Sequence, residues 1–269
     1  IHWLEIKGLS RDNSELYPIA IVGEGKPILL LHGFDSCFME YRRLVPHLKN
    51  NFKLIIPDLF GFGFCPRPKE TDYGICEIIN HLEKIFETLN ISSKVFAIGA
   101  SMGGGIAMKL ASSSNIDIER LLLLSPAGLI GKPTPIPPPF NHLGACFLKQ
   151  AFVRENLCKQ AFADPRNVKK QEKQIASIHI NVDGWGRSLA AFARSGGVAN
   201  CAHPLPEQPL DIIWGKDDRI LNESLRKKCM GLLSNCKHEE IERCGHLPHI
   251  DKPELIAKRI HTISRNIYR

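Results

Sequence analysis

Lys94-Val95-Phe96-Ala97-Ile98-Gly99-Ala100-Ser101-Met102-Gly103-Gly104 decides the fold of this chain. Lys94 to Ile98 is an apolar run without polar alternation, which suits a strand covered on both faces of a mostly parallel sheet. Met102 to Ala111 reads as a helix. Ser101 therefore stands in the turn between strand and helix, with a glycine two positions to either side. A turn that sharp needs small residues at those offsets, and it holds the hydroxyl up at the carboxyl edge of the sheet. The helix N-terminus behind it favours developing negative charge. A glycine-rich turn with an idle serine would carry the same five letters, so partners for Ser101 must be sought elsewhere.

Outward from this stretch the same rhythm repeats. Pro27 to Leu31 stops at His32-Gly33, Lys53 to Ile56 at Pro57-Asp58, Arg120 to Leu124 at Ser125-Pro126, and Leu210 to Trp214 at Gly215. Between the runs, Ile75, Ile78, Ile79, Leu82, Ile85, Phe86 and Leu89 recur at helical spacing. Leu255 to Ile267 also reads as a helix, with Asp251, Pro253 and Glu254 as its expected start. Strands alternating with helices predict a doubly wound α/β sheet. The rhythm breaks over 129–208. Lys132 to Pro139 carries five prolines, which exclude regular helix and central strand. Helical stretches follow at Leu143 to Phe152, Val168 to Ile178 and Gly186 to Arg194, then a second proline cluster at Pro204, Pro206 and Pro209. The expected organisation is a core of 1–128 and 209–269 with an all-helical insertion between.

Composition sets bounds on partners and compartment. Of 269 residues, 43% are hydrophobic and 23% charged, which is ordinary globular usage. The net charge of +7 is scattered, and its densest spots, Lys169-Lys170 and Arg226-Lys227-Lys228, carry no interleaved aromatics. That reads as solvated surface, and no nucleic-acid partner is expected. Ile28 to Leu31 and Leu121 to Leu124, the longest apolar runs, are too short to span a bilayer, so no integral membrane segment is expected. The nine cysteines are odd in number and form no CxxC or zinc spacing. Free thiols in the cytoplasm or another reducing compartment follow, with no metal site. The chain opens at Ile1 on no basic, apolar leader, which leaves room for a targeting segment removed earlier. Oligomeric state is not set by the sequence.

A serine hydroxyl needs a base, and the base an orienting acid. Gly245-His246 follows an expected strand at Glu239 to Glu242 and precedes the last helix, which puts His246 at the same sheet edge. His249 is the nearest competitor. For the acid, Trp214-Gly215-Lys216-Asp217-Asp218 follows another strand and leaves two adjacent aspartates open. The order serine, acid, histidine fits the nucleophile turn. Oxyanion donors are expected from the amide of Met102 and from the loop His32-Gly33-Phe34, with Phe34 the amide and His32 a brace.

Leu31-His32-Gly33-Phe34, Pro57 to Gly63, Gly99 to Gly104, Trp214 to Asp218 and Gly245-His246 together resemble the α/β-hydrolase superfamily along essentially the whole chain. The resemblance implies that the acid lies three residues after Gly215, which selects Asp218. It also implies a cap inserted after the sixth strand, where the helical segment falls. Serine at 101 tells against relatives that place aspartate there. Carbon–carbon bond hydrolases share the architecture but usually carry tryptophan where this chain has Leu247. The expected activity is therefore a serine hydrolase acting on a small or medium, largely apolar carboxylic ester, with no cofactor. The alternatives are a carbon–carbon hydrolase with the same triad, and a non-hydrolytic ligand-binding or lyase-like member. Trp185, Arg187 and Leu247 are expected at the substrate pocket, Arg187 meeting any anionic group, with packing and surface roles as the plainer reading of Trp185 and Arg187.

Overall fold

The computed structural model describes residues 1–6, 15–233 and 236–266. The apolar runs become strands: β1 (His2–Ile6), β2 (Glu15–Val22), β3 (Lys26–Leu31), β4 (Phe52–Pro57), β5 (Val95–Ala100), β6 (Ile118–Leu124), β7 (Leu210–Gly215) and β8 (Lys237–Ile241). They form one sheet in the order β1-β2-β4-β3-β5-β6-β7-β8. β2 runs antiparallel to β1 and β4, and every other pairing is parallel. All six residues of β5 and of β7 are buried, which is why their sequences show no alternation. β1 lies at the edge and is mostly exposed, so no apolar run marks it.

Among the described residues ten helices accompany the strands: α1 (Val45–Leu48), α2 (Ile75–Thr88), α3 (Met102–Ser113), α4 (Phe140–Lys149), α5 (Ala151–Gln160), α6 (Lys170–Ile175), α7 (Trp185–Arg194), α8 (Glu223–Leu232), α9 (Pro248–Asp251) and α10 (Pro253–Asn266). Residue parity along each strand divides the core into two layers. Leu29, Leu31, Ala97, Leu121 and Leu123 pack with Ile78, Leu82 and Ile106 of α2 and α3. Ile28, Leu30, Phe96, Ile98, Leu122 and Leu124 pack on the other face with Ile256 and Ile260 of α10. Each such side chain contributes about 1.5–3 kcal/mol on leaving water. The doubly wound α/β sheet is thus the fold of this protein.

Between β6 and β7 the chain holds α4 to α7 and two 3-10 turns, with no strand among the described residues. The helix expected over Leu143 to Phe152 is in fact two helices. Gln150 breaks it with an extended backbone, ψ 131°, and caps α5. α10 follows its expected span to Asn266, and Ile267 lies outside the described residues. Pro253 opens that helix, but Asp251 does not cap it. Its carboxylate turns to the N–H groups of Gly245 (2.8 Å) and Ala163 (2.9 Å), tying the loop after β8 to the helical segment.

Candidate active site

Ser101 joins β5 to α3 with φ 50° and ψ −119°, a backbone conformation that costs a non-glycine residue strain. Three hydrogen bonds of 2.9 Å over-determine it. Its N–H donates to the Leu124 carbonyl, and its own carbonyl accepts from Gly104 and Ala127. A Cβ on Gly99 would collide with the Gly103 carbonyl, and one on Gly103 with the Leu31 carbonyl. Both glycines are therefore demanded by close backbone approach, as the spacing predicts.

β7 ends at Gly215, and the next turn separates the two aspartates. Asp217 points to solvent, whereas Asp218 is buried. Asp218 Oδ2 lies 2.8 Å from His246 Nδ1, and its Oδ1 accepts from the N–H groups of Ile220 and Leu221, both at 2.8 Å. Those two amides fix the carboxylate, and the carboxylate fixes the ring. His246 Nδ1 is then the protonated nitrogen, which leaves Nε2 with a lone pair. Ser101 and His246 line one cavity of about 270 Å³, without a direct hydrogen bond between them. Such bonds are often long before substrate binds.

The opposite lip of the cavity is the loop after β3. Phe34 lines it, and neither its N–H nor that of Met102, the first residue of α3, donates to a protein acceptor among the described residues. The loop is braced from behind. His32 Nε2 accepts from Leu59 N–H at 3.0 Å, so its Nδ1 donates to the Gly33 carbonyl at 2.8 Å. Burial lowers the His32 pKa, which keeps that neutral tautomer in place. Glu40 accepts from Gly33 N–H at 3.2 Å and from His249 Nε2 at 3.1 Å. Burial pushes the Glu40 carboxyl up, yet the hydrogen bond and charge of His249 outweigh it and hold it below the usual range. His249 is therefore spoken for, stacked on Tyr41 at 4.7 Å and absent from the cavity wall. Asp58 closes the following turn by accepting from Phe38 (2.5 Å) and Phe64 (2.6 Å), and burial pushes it up to about 7.

Leu247 lines the cavity as expected, beside Leu148, Leu157, Phe162, Ile175, Ile220 and Ile250. Trp185 and Arg187 do not. The Trp185 indole meets the wall from behind, donating to Asp35 at 2.8 Å with the Arg154 guanidinium 5.9 Å from its ring, and the Arg187 guanidinium donates to the Arg67 carbonyl at 2.5 Å. Both therefore pack outside the lining of this cavity. Sequence reading missed Glu40, Asp35 and Arg154, which no motif spacing marks. Among the described residues no cluster of three His, Cys, Asp or Glu could hold a metal ion, all nine cysteines are free thiols, and no helix is long and apolar enough to cross a membrane.

Comparison with known proteins agrees with this fold. The family model for the alpha/beta hydrolase fold matches residues 26–169, more than half the chain. The Arabidopsis thaliana alpha/beta hydrolase domain-containing protein VTE7 is 25% identical over 92% of this chain and 77% of its own length. Monoacylglycerol lipase abhd6-A of Xenopus laevis is 26% identical over 90% and 77%. A solved meta-cleavage product hydrolase from Pseudomonas fluorescens superposes with a TM-score of 0.81 at 20% identity, covering 99% of this chain and 98% of that one.

Proposed function

The chain belongs to the alpha/beta hydrolase fold family, and from that premise we propose a serine hydrolase that cleaves a small or medium, largely apolar carboxylic ester through an acyl-enzyme. The observation that carries this reading is the 2.8 Å bond from Asp218 to His246 beside a cavity that also exposes Ser101. His246, oriented by Asp218, takes the proton of the Ser101 hydroxyl as its oxygen attacks the acyl carbonyl. The amides of Phe34 and Met102 stabilise the oxyanion. His246 then protonates the departing alkoxide. Water, deprotonated by the same ring, attacks the acyl-enzyme and releases the acid and the free serine.

Leu148, Leu157, Phe162, Ile175, Ile220 and Ile250 support an apolar acyl or alcohol group, since the charged members of the wall are already paired, Asp35 with Arg154, Glu172 with Arg42 and Glu40 with His249. Residues 129–208 act as a cap over the core of 1–128 and 209–269, and Leu148, Leu157 and Ile175 give the cap a share of the wall. Turnover of a p-nitrophenyl ester series by wild type and Ser101→Ala tests the reading. Activity on short and medium acyl chains that vanishes in the variant supports it. Fluorophosphonate labelling without ester turnover would shift the same triad to carbon–carbon bonds. A wild type that neither labels nor turns over would overturn it.

A further inference from the structure

Outside the triad, buried charge concentrates on the residue after Phe34. Asp35 sits at φ 48°, in the left-handed region that aspartate and asparagine tolerate best among side-chain-bearing residues. Its carboxylate is 8% exposed and receives donors from three separate elements of the helical segment. Arg154 Nη1 of α5 reaches it at 2.6 Å, His179 Nε2 of the 3-10 turn Ile178–Asn181 at 3.0 Å, and Trp185 Nε1 of α7 at 2.8 Å. Arg154 is itself locked, donating to Ser177 Oγ at 3.1 Å and to the Ala176 carbonyl, with its guanidinium 5.9 Å from the Trp185 ring. Burial pushes the Asp35 carboxyl up, but the hydrogen bond from His179 and the Arg154 charge more than offset it, so the group is an anion.

We propose that Asp35 is a positioning residue, through which the helical segment holds the Phe34 amide in line with Ser101. This rests on the serine-hydrolase reading and extends it. The Gly33–Phe34 peptide is held from both ends, by Glu40 on the Gly33 N–H and by three helical-segment donors on Asp35. The oxyanion site is then complete only when the segment is seated. A second clasp joins the same two regions without touching this peptide. Glu172 of α6 binds Arg42 at 3.0 Å and Arg43 at 2.5 Å, farther along the chain. Comparing the two clasps separates positioning of the amide from mere anchorage of the segment.

The test is the rate of fluorophosphonate labelling, resolved into KI and kinact, together with the Ki of a trifluoromethyl ketone that forms a reversible tetrahedral adduct. Asp35→Asn is expected to lower kinact about 10- to 100-fold and to weaken the ketone by a similar factor, with KI little changed. Trp185→Phe, which removes one donor and keeps the ring, is expected to lose about 3- to 10-fold in the same two quantities. It also serves where Asp35→Asn leaves the Arg154 guanidinium buried without its carboxylate and fails to fold. Arg43→Gln is expected to lower Tm, because it removes one partner of the buried Glu172 carboxylate, while kinact stays within about twofold, because neither residue touches the Phe34 peptide. Unchanged kinact in the Asp35 and Trp185 variants, a loss confined to KI, or an equal loss in Arg43→Gln would each overturn the proposal. A wild type that takes no label would instead remove the serine-hydrolase reading, and this inference with it.

Discussion

Ser101 on the cavity wall and Trp185 behind it are held in place by different means. Ser101 is placed by backbone alone, through a strained turn, two obligatory glycines and three main-chain hydrogen bonds. Trp185 is placed by its side chain, whose indole finds a carboxylate 150 positions away in the sequence. A backbone device needs particular residues at fixed offsets, so it leaves a pattern. A side-chain device needs only a donor and an acceptor that the fold brings together, and any of several residue pairs would do. The candidate catalytic edge is therefore fixed by backbone and written in motifs. The helical segment is attached by ion pairs, and its sequence gives little sign of where it docks.

If that contrast holds, the largest effects belong to the sheet edge. Ser101→Ala is expected to lower ester turnover by about 10⁴- to 10⁶-fold while Tm rises or stays level, since the strained turn remains. Steady-state kinetics beside a thermal melt checks both halves. Asp218→Asn is expected to lower kcat by about 10⁴-fold and Asp217→Asn to leave it unchanged, because only Asp218 reaches the histidine. Equal losses in the two would break the assignment of the acid. Gly103→Ala should cost more than about 3 kcal/mol or abolish folding, because the Leu31 and His32 carbonyls on that side are backbone and cannot yield. Urea unfolding measures it.

The helical segment should answer differently. Leu157→Ala, on the cavity wall, is expected to shift KM for medium acyl chains by about 3- to 10-fold and leave kcat for the shortest ester unchanged. A fall in kcat across the whole ester series would show the wall and the catalytic edge to be one device. The smallest effect is a pH signature inside the core. His81 of α2 is fully buried between Tyr17 and Phe60, with neither ring nitrogen hydrogen-bonded, and burial lowers its pKa to about 3. Unfolding lets it take up a proton below about 6.5, so stability is full above that pH and drains away as pH falls toward 3. The advantage of His81→Leu over wild type should therefore grow by about 2 kcal/mol between pH 8 and pH 5, as read by urea unfolding at both. A constant difference would contradict it.

What the sequence disclosed follows the same divide. β3 to β7 were legible because strands buried on both faces carry unbroken apolar runs, and their ends were sharp because Gly, Pro or Asp stops each one. β1 was not, since an exposed edge strand needs no such run. Gln150 broke an expected helix without proline or glycine to announce it. At the site, Gly99, Gly103 and the residues after Gly215 and Gly245 led to Ser101, Asp218 and His246, although the choice between Asp217 and Asp218 came from family resemblance and not from spacing. Trp185 and Arg187 were expected at the pocket as members of the helical insertion, with packing and solvated surface as the plainer reading. Only the positions of Asp35 and the Arg67 carbonyl show that they pack. Asp35 itself follows Phe34 directly, yet nothing local distinguishes a loop aspartate with three distant partners from one in a simple turn.

The most direct measurement of the central claim is the mass of the protein, and then of its peptides, after reaction with a fluorophosphonate. One adduct per chain is expected, mapped to Ser101, absent in Ser101→Ala and slowed at least about 10³-fold in His246→Ala. An adduct on another residue, or labelling of Ser101 at an equal rate without His246, would contradict the account.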